Sequence, residues 1–217
     1  MLNYYCANID VFDKESFFAD SLEKIDEKRR EKVLRCKNKA DQKRSLLAGL
    51  LLRYGLEAAG YSYDEVVIDV TSTGKPYIIS DMPIHFSISH SGEYVGCVIS
   101  DEPVGLDIEF SGKPIFSLEK RQTLEAMAKK CLSEAEKSIF DSSLEKEKLF
   151  LVYWTKKEAY SKFLGKGLGV DFSEIDTEDS KKNFWTSWTR DGYHVSIYRK
   201  SQSYEELTIE QVGFDKL

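Results

Sequence analysis

The sequence predicts an α+β protein of two similar-sized halves, residues 1–110 and 111–217, each an antiparallel sheet packed with helices. Three observations carry this. Leu46, Leu47, Leu50, Leu51 and Tyr54 recur at helical spacing. Ile84, Phe86 and Ile88, and then Leu106, Ile108 and Phe110, recur at the two-residue period of strands. After Glu109, a Ser111-Gly112-Lys113-Pro114 stretch reads as a linker into a second run of helices and strands.

In order, Leu2 to Val11 reads as a strand, Ser16 to Leu34 as one charged helix, and Asp41 to Ala59 as a clearer helix stopped by Gly60. Glu65 to Val70 and Tyr77 to Ile79 read as strands about a turn at Gly74-Lys75-Pro76. The strand at Ile84 to Ile88 is expected to be half-buried, with His85, Ser87 and Ser89 on its polar face. Tyr94 to Ile99, apolar on both faces, should be a central strand, and Asp101-Glu102-Pro103 should turn it back into a hairpin with Gly105 to Phe110. Ser117 to Lys130, Ser133 to Asp141 and Glu145 to Leu164 read as helices. Phe184 to Thr189 and Tyr193 to Arg199 read as strands joined at Asp191-Gly192, and Glu205 to Val212 as a third.

With 41% hydrophobic and 31% charged residues, the composition is that of a soluble globular protein. The longest apolar run, Leu46 to Leu52, is too short for a bilayer and is stopped by Arg53, so no membrane partner is expected. Met1 to Tyr5 shows no signal-peptide pattern, and Cys6, Cys36, Cys97 and Cys131 have neither zinc-clip nor redox-pair spacing. The expectation is a reduced, cytoplasmic protein. From Lys28 to Arg44, nine basic residues stand against Glu31 and Asp41, a segment of +7 within a chain of net charge -6. Such a local field points to an anionic ligand. Nucleic acid is not expected, because the segment has no aromatic residue for base stacking.

Two stretches carry chemistry. In Val104-Gly105-Leu106-Asp107-Ile108-Glu109, alternation puts both carboxylates on one strand face, an arrangement that calls for a cation. In Trp154 to Lys162, Glu158 and Lys162 stand four apart and share a helix face. Three carboxylates with Lys162 and His90 form a set suited to holding Mg²⁺ on a phosphate ester. Each piece alone is unspecific, and Gly165-Lys166-Gly167 could equally be a plain helix cap.

Together, Phe86 to Ser91, Gly105 to Glu109 and Trp154 to Lys162, in that order and at those separations, resemble the 4′-phosphopantetheinyl transferases of the longer, surfactin-synthetase-activating type. Gly74-Lys75-Pro76, Ser133 to Glu136 and Gly165 to Leu168 extend the resemblance, which runs from about Lys28 to Leu168. It implies a pseudo-dimer with the active site between its halves, acting as a monomer. It also implies transfer of phosphopantetheine from coenzyme A to a serine of an apo acyl or peptidyl carrier protein, with release of 3′,5′-ADP. Asp107, Glu109 and Glu158 would hold the metal, with Lys162 and His90 on the phosphates. Gly74, Lys75 and Pro76 would line the adenine pocket, Ser89 would lie near the phosphates, and Lys28, Lys32 and Arg44 would meet the 3′-phosphate.

The residues leave the general base open among Glu158, Glu109, Glu136 and a metal-bound water. Lys157 is expected to be solvated or paired locally, and Trp154 to be a core anchor. One departure from the family concerns Tyr193 to Tyr198, where His194 and Ser196 interrupt a strand expected to be apolar on both faces, so that one face should be wet. The competing readings are another Mg²⁺-dependent nucleotide phosphotransferase and, more weakly, an RNA-binding module.

Overall fold

The computed structural model describes residues 1–13, 15–112, 121–166 and 169–217. The expected linker after Gly112, the start of the helix at Ser117, and Gly167 and Leu168 therefore lie outside the described residues. Strand β1 (Leu2–Asn8) leads into helices α1 (Glu15–Leu22), α2 (Glu27–Arg35) and α3 (Lys39–Ala58). The single helix expected from Ser16 to Leu34 is two helices. Asp26 breaks it, its side chain accepting from the Arg29 amide at 2.9 Å and from the Tyr63 hydroxyl at 2.8 Å, which makes it the N-cap of α2.

Strands β2 (Val67–Val70) and β3 (Pro76–Ile79) form a separate two-stranded ribbon. They are followed by β4 (His85–Ser91), β5 (Tyr94–Ser100) and β6 (Val104–Phe110). The remainder comprises helices α4 (Arg121–Cys131), α5 (Glu134–Ser142) and α6 (Lys146–Leu164), then strands β7 (Trp185–Trp188), β8 (Tyr193–Arg199) and β9 (Leu207–Gln211). Among the described residues, no helix is long and apolar enough to cross a membrane.

The strands form a four-stranded sheet in the order β4-β5-β1-β9 and a three-stranded sheet in the order β6-β8-β7. The expected β5–β6 hairpin does not form. Both edges of β5 are taken, by β4 and β1, and β6 crosses to pair with β8. The exchange is mutual, because β9 returns from the end of the chain to lie parallel to β1. Neither 1–110 nor 111–217 thus supplies all the strands of its own sheet.

One apolar cluster, with Leu47, Leu51, Phe86 and Ile99, packs α3 on the four-stranded sheet. A second, with Tyr4, Val98, Leu106, Ile108, Val195 and Ile197, lies between the two sheets. Helix α6 covers the far side of β6 and β8.

That last layer corrects the expectation for β8, which is buried throughout. His194 and Ser196 face α6, and both meet Thr155 Oγ1, at 2.7 and 2.9 Å. The strand stays dry because its polar groups find partners on the helix. Burial pushes the His194 imidazole down to about 4. Gly105 permits the close approach of α6 to β6, since a Cβ there would stand 1.9 Å from the Ala159 carbonyl oxygen.

Candidate active site

The site forms where β6 meets β4 on one edge and α6 on one face. Leu106 and Ile108 are spent on the inter-sheet core, so Asp107 and Glu109 project towards α6. The open edge of β6 is closed by a serine ladder. Oγ of Ser87, Ser89 and Ser91 accepts from the amides of Leu106, Ile108 and Phe110 at 3.0, 3.3 and 2.9 Å. Two of these hydroxyls then donate onward, Ser89 to Asp107 Oδ1 at 2.8 Å and Ser91 to Glu109 Oε2 at 2.9 Å. Of the polar face expected on β4, Ser87 and Ser89 are consequently buried, while His85 is exposed. A sequence alternating serine with isoleucine and phenylalanine thus orients both carboxylates.

Helix α6 brings the rest. Lys162 Nζ donates to Asp107 Oδ1 at 2.7 Å, Ser89 Oγ at 2.9 Å and the Leu106 carbonyl at 3.0 Å. Asp107 is 5% exposed, and its Oδ2 has no partner. Burial is the main cause that raises the Asp107 carboxyl, opposed by Lys162. Burial and then the Asp107 charge push Glu158 up to about 7. Two neighbouring carboxyls raised in this way, with an orphaned oxygen between protein and cavity, form a site short of positive charge.

A cavity of about 700 Å³ opens over this cluster, within the usual range for small-molecule sites. Asp107, Glu109, Glu158 and Lys162 line one end of it. Ser89 and His90 lie along it, and Lys28 and Lys32, one turn apart on α2, line the other end with Arg29. Gly74 and Pro76 close it from the β2–β3 turn. Burial and the charges of Arg44, Lys162 and Lys32 lower the His90 imidazole.

Two expected residues stand apart from the cavity wall. Arg44 donates to the Gly92 carbonyl at 2.6 Å and pairs with Asp41, so it braces the β4–β5 turn beside the cavity. Lys75 turns away towards the end of α6, into a smaller adjoining cavity of about 240 Å³.

Lys157 is not solvated, and its partner is not local in the chain but on another helix. It is fully buried, bonded to Glu136 at 2.6 Å and to the Phe172 carbonyl at 2.8 Å. Glu136 also caps α5 and accepts from the Thr177 amide at 2.9 Å and hydroxyl at 2.7 Å. With its oxygens so occupied and no exposure, Glu136 leaves the set of candidate bases. Trp154 does anchor the core, through Phe150 and Phe172, but it also lines the cavity.

Sequence reasoning missed Ser45. Its hydroxyl is buried, has no partner, and lines the cavity one helical turn from Asp41. The only signal was its place beside Arg44 on the basic segment.

A family model described as the 4′-phosphopantetheinyl transferase superfamily matches residues 103–212. The chain belongs to this superfamily. A second family model, 4′-phosphopantetheinyl transferase, N-terminal, matches residues 13–103. The border between the two falls just before β6, the strand that joins the second sheet.

A 4′-phosphopantetheinyl transferase of Bacillus subtilis is 30% identical over 193 residues, covering 85% of this chain and 80% of that protein. The 4′-phosphopantetheinyl transferase gsp of Aneurinibacillus migulanus is 33% identical, covering 70% of this chain and 60% of its own. For the transferase Sfp of Bacillus subtilis (strain 168) the identity is 36%, with 67% and 62% covered.

Among the described residues, no three His, Cys, Asp or Glu side chains form a ready-made metal cage. The orphaned Asp107 Oδ2 and the raised carboxyls nonetheless fit Mg²⁺, which binds through one or two carboxylates with substrate phosphates and water completing its shell.

Proposed function

We propose that this protein transfers the 4′-phosphopantetheine group of coenzyme A to a serine of an apo acyl or peptidyl carrier protein, releasing 3′,5′-ADP. The observation that carries the reading is the single cavity running from the basic face of α2 to the carboxylates of β6 and α6. Its two ends match the two anionic parts of coenzyme A. Another Mg²⁺-dependent nucleotide phosphotransferase would share the carboxylates but would need neither the basic end nor the family membership.

In this reading Lys28 and Lys32 take the 3′-phosphate, with Arg44 adding to the field. Gly74 and Pro76 present backbone and ring to the adenine. Asp107, Glu109 and Glu158 would hold Mg²⁺, which neutralises charge on the pyrophosphate. Lys162 and His90 contact the phosphates. The carrier serine attacks the phosphorus bonded to pantetheine, the bond from that phosphorus to 3′,5′-ADP breaks, and the serine proton passes to a carboxylate. Glu158 and Glu109 line the cavity and are the candidate acceptors of that proton. The transfer is direct, with no covalent enzyme intermediate, since positioning and charge neutralisation suffice for phosphoryl chemistry. The proposed setting is the cytoplasm and the proposed working form a monomer, since β6 and α6 of one chain supply the whole cluster.

Trp154 provides the test, because it lines the cavity. Coenzyme A should change its fluorescence saturably, and Trp154→Phe should remove that change. Dephospho-coenzyme A, lacking the 3′-phosphate, should bind at least tenfold more weakly, in line with the loss of a charge-assisted contact of about 1.5–3 kcal/mol. Equal affinity for the two ligands would contradict the assignment of the basic end.

A further inference from the structure

Lys75 does not line the main cavity; it lies in the smaller one beside the end of α6. Its ammonium donates to the carbonyl of Lys162, in the last turn of α6, and reaches the Val104 carbonyl at 3.4 Å where β6 begins. Beside it, the Thr73 hydroxyl donates to the Gly165 carbonyl at 2.8 Å. The Lys162 carbonyl also accepts from the Gly165 amide at 3.2 Å, and the carbonyls of this last turn carry the negative end of the helix dipole, which favours a cation beside them. The β2–β3 turn therefore caps α6 from outside.

The turn itself is stiff. Gly74 sits at φ 83°, a left-handed conformation open to glycine. The Thr71 amide donates to the Lys75 carbonyl at 2.8 Å, and the Lys75 amide to Thr71 Oγ1 at 3.0 Å.

The placement costs energy. Burial and the neighbouring Lys162 charge lower the Lys75 ammonium to about 8. A cation held beside another cation needs compensation, and here the carbonyls supply it.

Lys162 is thereby gripped twice: its side chain by Asp107, Ser89 and the Leu106 carbonyl, and its own carbonyl by Lys75. The same turn offers Gly74 and Pro76 to the cavity. We propose that Lys75 is a positioning residue, a clasp by which the β2–β3 turn fixes the end of α6 and so aims Lys162 at the phosphates, rather than a ligand of the adenine. The proposal rests on the reading of the site as a coenzyme A transferase site.

The test uses Lys75→Met and, at an exposed position that the fold should tolerate, Thr73→Val. The probe is 3′,5′-ADP, which carries the adenine and 3′-phosphate but no pantetheine. In Lys75→Met, kcat should fall tenfold or more while the inhibition constant of 3′,5′-ADP stays within twofold. Amide exchange over residues 161–165 should quicken at least tenfold. Thr73→Val should shift kcat and exchange the same way by less.

Unchanged exchange in both variants would overturn the clasp whatever the kinetics. Faster exchange with unchanged kcat would overturn its role in aiming Lys162. A fivefold or greater rise in the inhibition constant with kcat intact would return Lys75 to the adenine. If the unaltered protein transfers nothing, the transferase reading fails while the exchange measurement still decides the clasp.

Discussion

Asp107 joins the site's two needs in one side chain. Oδ1 is shared by Ser89 and Lys162, and Oδ2 is buried without a partner. Asp107→Ala and Glu109→Ala should therefore abolish transfer while the fold survives. Thermal melting without Mg²⁺ should show stability held or raised, because like charges near Glu158 are relieved. Lys162→Ala should lower kcat by about 10²–10³, the cost of one preorganised donor. Lys157→Ala, only five positions away, should act on stability instead. It leaves Glu136 buried and uncompensated, at a cost of about 3–5 kcal/mol in denaturant unfolding. A loss of activity in Lys157→Ala with unchanged stability would contradict this division. The sequence could place Glu158 and Lys162 on one helix face by spacing alone. It could not show that Lys157 points into the protein, because its partner Glu136 lies on another helix.

At the scale of elements, β8 shows how polar residues are kept dry. His194 is 1% exposed and held by Thr155. Its folded imidazole, at about 4, lies below the ordinary 6.5. Between those values the unfolded chain binds the proton and the folded one does not, so stability falls as pH drops from 6.5 towards 4. The contribution is of order 3 kcal/mol. Chemical denaturation across that range should show the wild type losing this increment relative to His194→Asn, and parallel profiles would contradict it.

Gly105→Ala forces a Cβ against the Ala159 backbone and should push α6 away from β6. Activity should fall even where the variant stays folded, as measured by transfer rate alongside circular dichroism. The strand and helix periods of β4, β5, α3 and α6 were legible in the sequence. The serine ladder was not, because periodicity marks Ser87, Ser89 and Ser91 as polar without saying that a strand edge awaits them.

Over the whole molecule, the exchange of β6 and β9 between the two stretches of chain ties the site to the fold. The first stretch lends β6, with its carboxylates, to the second sheet, and α6 lies across it. Pairing between distant strands leaves no local signal, so a turn at Asp101 to Pro103 read as a hairpin while β6 in fact crosses between sheets. The ligand end was more legible, since the charge of the Lys28 to Arg44 segment is a property of composition. Its joining to the carboxylates in one cavity needed the fold.

The most direct measurement is the mass of a carrier. An apo acyl or peptidyl carrier protein, incubated with this protein, coenzyme A and Mg²⁺, should gain one phosphopantetheine as 3′,5′-ADP appears. A carrier with its acceptor serine changed to alanine should gain nothing, and chelation of the metal should stop the reaction. Failure to modify carriers of either class, or stable attachment of the group to this protein itself, would contradict the account.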